Sequence, residues 1–259
     1  PTALEFLRQS LDITRAIGDR AGEGATLNNI SQIYDAQGDY PTALEFLRQS
    51  LDIQRAIGDR AGEGATLNNM ATAALAQGDY PTALEFLRQS LDIRRAIGDR
   101  AGEGTTLNNM ATAALAQGDT PTALEFLRQS LDITRAIGDR AGEGATLNNI
   151  SQIYDAQGDY PTALEFLRQS LDIRRAIGDA AGLCATLFNM GHIHLQNGEV
   201  NEAFTAWVTV YQLASRIGLA QALQNLERLA GQVGLPGGLA GWAALASGEL
   251  QLSTSDAPE

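Results

Sequence analysis

The side chains best suited to metal or nucleophilic chemistry lie close together near the end of the chain. This segment holds the single cysteine, Cys184, and both histidines, His192 and His194, and both residue types are common zinc ligands. Residues two apart on a helix point about 200° apart, so two such histidines cannot face one metal ion. We therefore expect His194 to pack inside the fold and Cys184 to be a small buried apolar side chain. We expect no metal site and no cofactor.

The glycine-rich motif GDRAGEG, first seen at residues 18–24, is a second candidate site. Glycine-rich loops bind phosphate when they follow a strand and carry a lysine. This motif follows a helical pattern and recurs with the repeats described below, and the chain contains no lysine. We interpret it as turn punctuation. Since no set of serine, histidine and carboxylate suggests catalysis either, we expect a protein that is not an enzyme.

The charge balance restricts the classes of partner. The formal net charge is -13, from 31 acidic and 18 basic residues, which opposes binding to nucleic acid or to an anionic membrane surface. One cysteine permits no internal disulfide, and no apolar run approaches the roughly 20 residues of a membrane span. We expect a cytoplasmic location. With no signal peptide and no initiator methionine, we also expect the chain to start inside a longer multidomain protein.

A repeat of 40 residues determines the architecture. The sequence PTALEFLRQSLDI begins at residues 1, 41, 81, 121 and 161, and residues 1–40 and 121–160 are identical. Each period holds two helical patterns, and in the segment 41–57 apolar residues follow steps of three and four. Asp39 is placed to cap the helix over 41–57 and Gly58 to end it, and Asp59 is placed to cap the helix that follows. Such helix pairs bury their apolar faces only by stacking.

The organisation along the chain follows from this period. We predict repeats over 1–217, with an orphan helix of the second type at 1–17 and pairs starting near 22, 62, 102, 142 and 182. Capping helices over 218–250 and a flexible tail at 251–259 complete the chain. The orphan helix would leave Leu4, Leu7 and Leu11 partly exposed. One alternative function is therefore a structural module that self-assembles head-to-tail through this uncapped end.

The repeat resembles the tetratricopeptide repeat family. Leu27, Ile30 and Tyr34 occupy the large-residue positions of that family's first helix, and the second helix carries Ala43, Leu47 and Ser50 where the family shows alanine, a bulky residue and alanine. The long period and the LNN and GDY segments are similar to the kinesin light chain subset. The resemblance implies an all-α, right-handed superhelical solenoid of antiparallel helix pairs, with a protein or peptide bound in a groove lined by the first helices. The matching groove positions are Asn28, Gln32, Asp35, Asn68, Thr72, Leu75, Asn108, Thr112, Leu115, Asn148, Gln152, Asp155, Phe188, His192 and Leu195.

These groove positions allow more than one interpretation. The asparagines would suit gripping a peptide backbone, or would form a ladder of bonds between neighbouring repeats. Groove residues change from Gln and Asp in the outer repeats to Thr and Leu in the middle two, which favours a segment with apolar anchors and a basic end. Alternatively, Leu75 turns inward to fill the space left where Tyr34 becomes Ala74. The lysine and arginine clamp of the family's chaperone-binding members is absent at these positions.

Overall fold

The fold is all-helical over residues 2–250, the part of the chain that the computed structural model describes. The elements in this range are α1 (Ala3–Ile17), α2 (Arg20–Ala36), α3 (Tyr40–Ile57), α4 (Arg60–Ala76), α5 (Tyr80–Ala96), α6 (Arg100–Ala116), α7 (Thr120–Ile137), α8 (Arg140–Ala156), α9 (Tyr160–Ile177), α10 (Ala180–Gln196), α11 (Val200–Ile217), α12 (Ala220–Gln232) and α13 (Leu239–Ser247). Within the same range, no helix is both long enough and apolar enough to span a membrane. The predicted tail at 251–259 lies outside the described residues.

The chain forms two compact units, Pro1–Ile137 and Gly138–Glu259. In the first unit α2 packs on α3, α4 on α5 and α6 on α7, and α1 packs on α2. In the second unit α8 packs on α9 and α10 on α11, while α12 and α13 pack on α11 and on each other. Within each unit the fold is therefore a tandem series of helix pairs, as the period predicts.

Side-chain caps fix where the helices begin and end. The Asp59 carboxylate accepts the backbone N–H of Gly62 at 2.9 Å, and Asp39 accepts that of Thr42 at 3.2 Å, so both predicted N-caps are confirmed. Gly58 ends α3 with φ +73°, a left-handed conformation that favours glycine. The prediction for GDRAGEG needs a correction. Helices α2, α4, α6 and α8 each begin at the arginine of the motif, about two residues before the predicted start, so the last two glycines of the motif lie inside the helix and not in a turn.

The last glycine of the motif allows two helices to approach closely. The buried hydroxyl of Ser50 on α3 donates to the carbonyl of Gly24 on α2 at 2.8 Å. A Cβ atom at Gly24 would lie 3.3 Å from Ile53 Cγ2, so the backbone of α2 rests against the side chains of α3. The same bond, at 2.8–2.9 Å, joins Ser90 to Gly64, Ser130 to Gly104 and Ser170 to Gly144. Repetition of glycine and serine thus has a packing reason.

The second unit closes over two tryptophans. Trp207 of α11 and Trp242 of α13 are fully buried with ring centroids 6.1 Å apart, and each indole N–H donates to a backbone carbonyl, of Phe188 and of Leu226 respectively. Cys184 belongs to the same core and is 2% exposed. It is therefore the small buried side chain that the sequence suggests, and burial raises the pKa of its thiol.

Helix α1 presents an apolar surface different from the predicted one. Leu4 and Leu7 are partly exposed as expected, but Leu11 is buried against α2, so its predicted exposure is wrong. The exposed apolar residues of α1 are instead Phe6, Ile13 and Ile17. Ile13 is 59% exposed, whereas Ile53, which occupies the same position one repeat later, is 4% exposed. The difference arises because Ile53 lies against Gly24 of α2, and no first-type helix precedes α1 in the described part of the chain.

Candidate functional site

The first helices of successive pairs lie side by side within each unit. In the first unit α2 contacts α4 and α4 contacts α6, and in the second α8 contacts α10. We call the surface formed by α2, α4 and α6 the A-helix face. It carries the predicted groove positions 28 to 115, while α8 and α10 carry positions 148 to 195 on the second unit.

The asparagines connect neighbouring first helices. The side-chain amide of Asn69 on α4 donates to Asn28 Oδ1 on α2 at 3.1 Å. The same bond joins Asn109 to Asn68 and Asn189 to Asn148. Asn28, Asn68 and Asn148 therefore belong to a ladder between repeats, one of the two alternatives that the sequence left open. Each acceptor asparagine keeps its own amide N–H donors outside these bonds, so the prediction that asparagines bind a peptide backbone remains a prediction.

Asn108 makes a different set of bonds. Its amide donates to the Ser130 hydroxyl at 2.6 Å and to the Gly104 carbonyl at 3.2 Å. Both acceptors belong to the close contact between α6 and α7. Asn108 thus couples the first helix of its pair to the second.

The positions one turn further along the helices are open to solvent. Gln32, Thr72, Thr112 and Gln152 are all exposed. The hydroxyl of Thr72 donates to the Asn68 carbonyl at 3.2 Å, and that of Thr112 to the Asn108 carbonyl at 3.3 Å. Since these hydroxyl protons are used within the helix, both threonines present mainly oxygen lone pairs to a binding partner.

The third groove position is an aspartate in some repeats and a leucine in others. Asp35, Leu75, Leu115 and Asp155 are all half-buried. Leu75 packs partly against the core cluster that contains Ala74 and Leu87. This contact agrees with the alternative in which Leu75 fills space left by the smaller Ala74, yet part of the side chain stays exposed.

Both carboxylates at this position contain an oxygen without a donor. Oδ1 of Asp35 and Oδ1 of Asp155 are buried and accept no hydrogen bond from residues 2–250. The outer repeats also carry a tyrosine beside the aspartate, and Tyr34 stacks on Phe46 with ring centroids 5.5 Å apart. Arg8 of α1 donates to the hydroxyl of Tyr34 at 2.9 Å, so this guanidinium serves the tyrosine.

Helix α10 of the second unit replaces polar groove residues with aromatic ones. His192 lies edge-on to Phe188 with ring centroids 4.8 Å apart and to Trp207 at 5.3 Å. Burial lowers the pKa of His192, and nearby Asp155 acts in the opposite direction. Burial also raises the pKa of Asp155, opposed by His192. His194 is half-buried and packs in the repeat as expected, with Nδ1 2.5 Å from Glu199 Oε2; Leu195 is half-buried as well.

Two features of the repeat did not emerge from the sequence. The sequence predicts only the first asparagine of each LNN run on the functional face, although the second, as in Asn69, donates the bond between repeats.

Glu23 is buried and bonded to both Arg15 and Arg20, and its hydrogen bond with Arg15 lowers its pKa against the opposing effect of burial. Glu63 and Glu103 form the same arrangement with two arginines each. Spacings of three and eight residues between Arg and Glu were the available signal.

Comparison with known families identifies the repeat. A sequence model described as tetratricopeptide repeat matches residues 1–56, 37–96, 62–136 and 102–176. The chain belongs to the tetratricopeptide repeat (TPR) family. A second model, anaphase-promoting complex subunit 5, matches residues 150–224. Comparison with curated protein sequences gave no match.

Solved structures share the fold of this TPR chain at low sequence identity. Aspartyl phosphate phosphatase F from Bacillus subtilis is 16% identical with a TM-score of 0.72, over 92% of this chain and 64% of that one. A Rap protein complexed with competence and sporulation factor is 14% identical with a TM-score of 0.71, over 95% and 74%. A protein of nearly identical TPR-like repeats from a Podosopora anserina kinesin light chain is 21% identical with a TM-score of 0.57, over 74% of this chain and 95% of that one. At these identities the similarity concerns the fold alone.

Proposed function

We propose that this TPR chain is a non-enzymatic, cytoplasmic interaction scaffold that binds a peptide or helical segment of another protein on its A-helix face. The observation that carries the proposal is where nearly identical repeats differ. Gln32 and Asp35 of α2 become Thr72 and Leu75 of α4, and Thr112 and Leu115 of α6. All six side chains are exposed or half-buried. Variation on an accessible surface of an otherwise cloned scaffold is typical of a surface that selects a partner.

The asparagine ladder supports this proposal. Bonds between Asn69 and Asn28 and between Asn109 and Asn68 hold three helices in one arrangement. A surface that is ordered before binding loses less conformational entropy when a partner binds. Among the proteins of this fold, a Rap protein has been crystallised with competence and sporulation factor, so the fold is compatible with holding a partner.

Selection from a random peptide display library against the full chain tests the proposal. We expect enriched peptides to bind the wild type and to lose at least about ten-fold in affinity with Leu75→Asp plus Leu115→Asp. Ile57→Asp plus Ile97→Asp is the matched control, because these isoleucines are 42% and 41% exposed at the ends of second-type helices. Equal loss in both variants would exclude the A-helix face as the binding surface. Loss of the helical circular dichroism signal with the leucine changes alone would show that these leucines belong to the core, and would exclude them as anchors for a partner.

Self-association through α1 is a second candidate function. In its head-to-tail form each molecule contacts the next, and the assembly does not close into a ring. Ile13 is 59% exposed although Ile133, in a helix whose sequence over 121–137 is identical to 1–17, is 5% exposed. The helix surface is therefore one that this chain buries elsewhere. At the other end, however, α12 and α13 already cover α11. Light scattering across a range of protein concentration tests this function. If the chain assembles, the mass of the wild type rises with concentration, whereas the variant with Phe6→Glu plus Ile13→Glu stays monomeric.

A further inference from the structure

A small cavity lies between the first two helix pairs of the first unit. It has a volume of about 70 Å³ and is lined by Ser31, Gln32, Asp35, Leu47, Asn69 and Thr72. A cavity of roughly 10–15 Å³ already holds one water, so this one has room for a small polar group. Gln32 and Thr72 are exposed, so the cavity is reached from solvent. It therefore belongs to the A-helix face.

Asp35 contributes a carboxylate to the lining of this cavity. Its Oδ1 atom is buried and accepts no hydrogen bond from any residue in the range 2–250. Leaving a buried carboxylate oxygen unpaired is unfavourable by more than leaving a neutral acceptor unpaired. The carboxylate is also dispensable for the fold, because the cloned repeats carry Leu75 and Leu115 at the same position. A binding role explains why an aspartate is tolerated here.

Some of the hydrogen-bond donors around the cavity are already engaged. The hydroxyl of Ser31 donates to the Asn28 carbonyl at 2.6 Å, and that of Thr72 to the Asn68 carbonyl at 3.2 Å. The amide of Asn69 donates to Asn28 Oδ1 at 3.1 Å. Asp35 is the one charged residue among the six that line the cavity. A cavity whose single charged side chain is a carboxylate suits a group that carries N–H donors and a positive charge.

We propose that the Asp35 cavity is a subsite for a cationic side chain, a guanidinium or an ammonium group, of the segment that binds the A-helix face. This inference rests on the function proposed above and adds the chemistry of the partner. A guanidinium offers five donors in a plane and an ammonium offers three, and either can pair with the Asp35 carboxylate where this residue lines the cavity. The net charge of -13 attracts such a segment at long range.

The second unit contains a related carboxylate with a different neighbour. Asp155 lies on α8 as Asp35 lies on α2, but the residue equivalent to Thr72 is His192. The His192 ring lies edge-on to Phe188 and Trp207, so the threonine hydroxyl that lines the Asp35 cavity has no counterpart beside Asp155. The inference is accordingly confined to Asp35.

Small-molecule probes test the subsite without knowledge of the natural partner. The ¹⁵N-labelled full chain is titrated with the Nα-acetyl methylamides of arginine, lysine and citrulline while backbone amide shifts are recorded by NMR. We expect saturable shifts centred on residues 31–35 and 69–72 with arginine or lysine, and none with citrulline, which has arginine's shape without its charge. The probe that binds more tightly identifies the source of the cation.

Two variants at Asp35 make the test decisive. Asp35→Asn and Asp35→Leu should each weaken the cationic probe by about ten-fold or more, while Asp52→Asn, a loss of the same charge at an exposed site on α3, should leave it within about two-fold. Asp35→Leu restores a residue that the other repeats already use, so a folded variant is available. Equal binding of citrulline, or unchanged binding by both Asp35 variants, would overturn the subsite. Display-selected peptides that bind independently of Asp35 would overturn it too, while leaving the proposed function intact.

Discussion

Two glycines within first-type helices should respond in opposite ways to the same substitution. At Gly104, an alanine Cβ would lie 3.5 Å from Ile133 and 3.6 Å from Ser130, which are ordinary contacts. At Gly191, the Cβ would lie within 2.7 Å of three atoms of the Trp207 indole. Trp207 is fully buried and its N–H is bonded to the Phe188 carbonyl at 3.1 Å, so the ring has no free space into which to move.

The expected magnitudes follow from these contacts. Alanine is favoured over glycine inside a helix by about 1 kcal/mol, so Gly104→Ala should stabilise the first unit by roughly 0.5 to 1 kcal/mol. Gly191→Ala gains the same term but overpacks the core, at a cost of about 1 to 3 kcal/mol. It also weakens the indole hydrogen bond, worth about 1 kcal/mol. The net effect at Gly191 should be a destabilisation of about 1 to 3 kcal/mol.

Urea unfolding of the full chain measures both effects. The only tryptophans, Trp207 and Trp242, lie in the second unit, so fluorescence reports its unfolding while circular dichroism reports both units. At roughly 1 to 3 kcal/mol per M urea, a loss of 2 kcal/mol lowers the midpoint by about 1 M. In a Trp207→Leu background, which restores the leucine of the other repeats, Gly191→Ala should become harmless, and Trp242 remains as the reporter. A Gly191→Ala midpoint that is unchanged or raised in the wild-type background would refute the proposed contact between this glycine and Trp207.

Three further predictions concern the ladder, the buried glutamate and the thiol. Asn69→Ala removes the bond to Asn28 and should lower the free energy of unfolding by about 0.5 to 1.5 kcal/mol. Asn29 occupies the same position of the first repeat and is exposed, so Asn29→Ala should change it by less than about 0.5 kcal/mol. Equal effects of the two substitutions in urea unfolding would exclude a stabilising ladder. Arg15 lowers the pKa of Glu23 in the folded chain, so the stability that Glu23 contributes is present above its model-peptide value of about 4.3 and is lost as the pH falls through the lower folded value. The difference in melting temperature between wild type and Glu23→Gln should therefore shrink on acidification. Cys184 is buried with a raised thiol pKa, so iodoacetamide should alkylate the native chain far more slowly than the chain in urea, whereas equal rates would contradict its burial.

Much of the fold was predictable because each repeat states its local rules clearly. The apolar steps, the aspartate caps and the left-handed glycines are determined within a single helix and its turn, and five copies of the repeat reinforce them. The sequence predicts the start of the first helix about two residues late, because Arg20 and Ala21 carry no apolar signal of their own. The motif GDRAGEG reads as a turn since glycine usually marks one. Only the packing of α3 shows that Gly24 serves a close approach inside the helix.

The candidate site was harder to predict, because its geometry depends on contacts between repeats. Sequence period places Asn28 and Asn69 on neighbouring helices, but it does not determine which of the two asparagines in LNN reaches across. Leu11 shows the same limit: it repeats the leucine of later pairs, and it is buried in a cluster with Leu27 and Ile30 of α2. The unpaired Oδ1 of Asp35 has no sequence signal at all, since an aspartate near the end of a helix reads equally well as solvated surface.

Bonds between repeats and the predicted contacts with a partner involve different residues of one short segment. Residues of LNN hold neighbouring first helices together, while the positions four and seven residues after the first asparagine, such as Gln32 and Asp35, stand on the face that the ladder arranges. A change at these later positions alters the chemistry offered to a partner without breaking a bond between repeats. The first unit contains one Gln and Asp repeat followed by two Thr and Leu repeats, and therefore presents the Asp35 carboxylate beside Leu75 and Leu115. If the A-helix face binds a segment as proposed, the order of the two repeat types, rather than the composition of any one repeat, determines which segment fits.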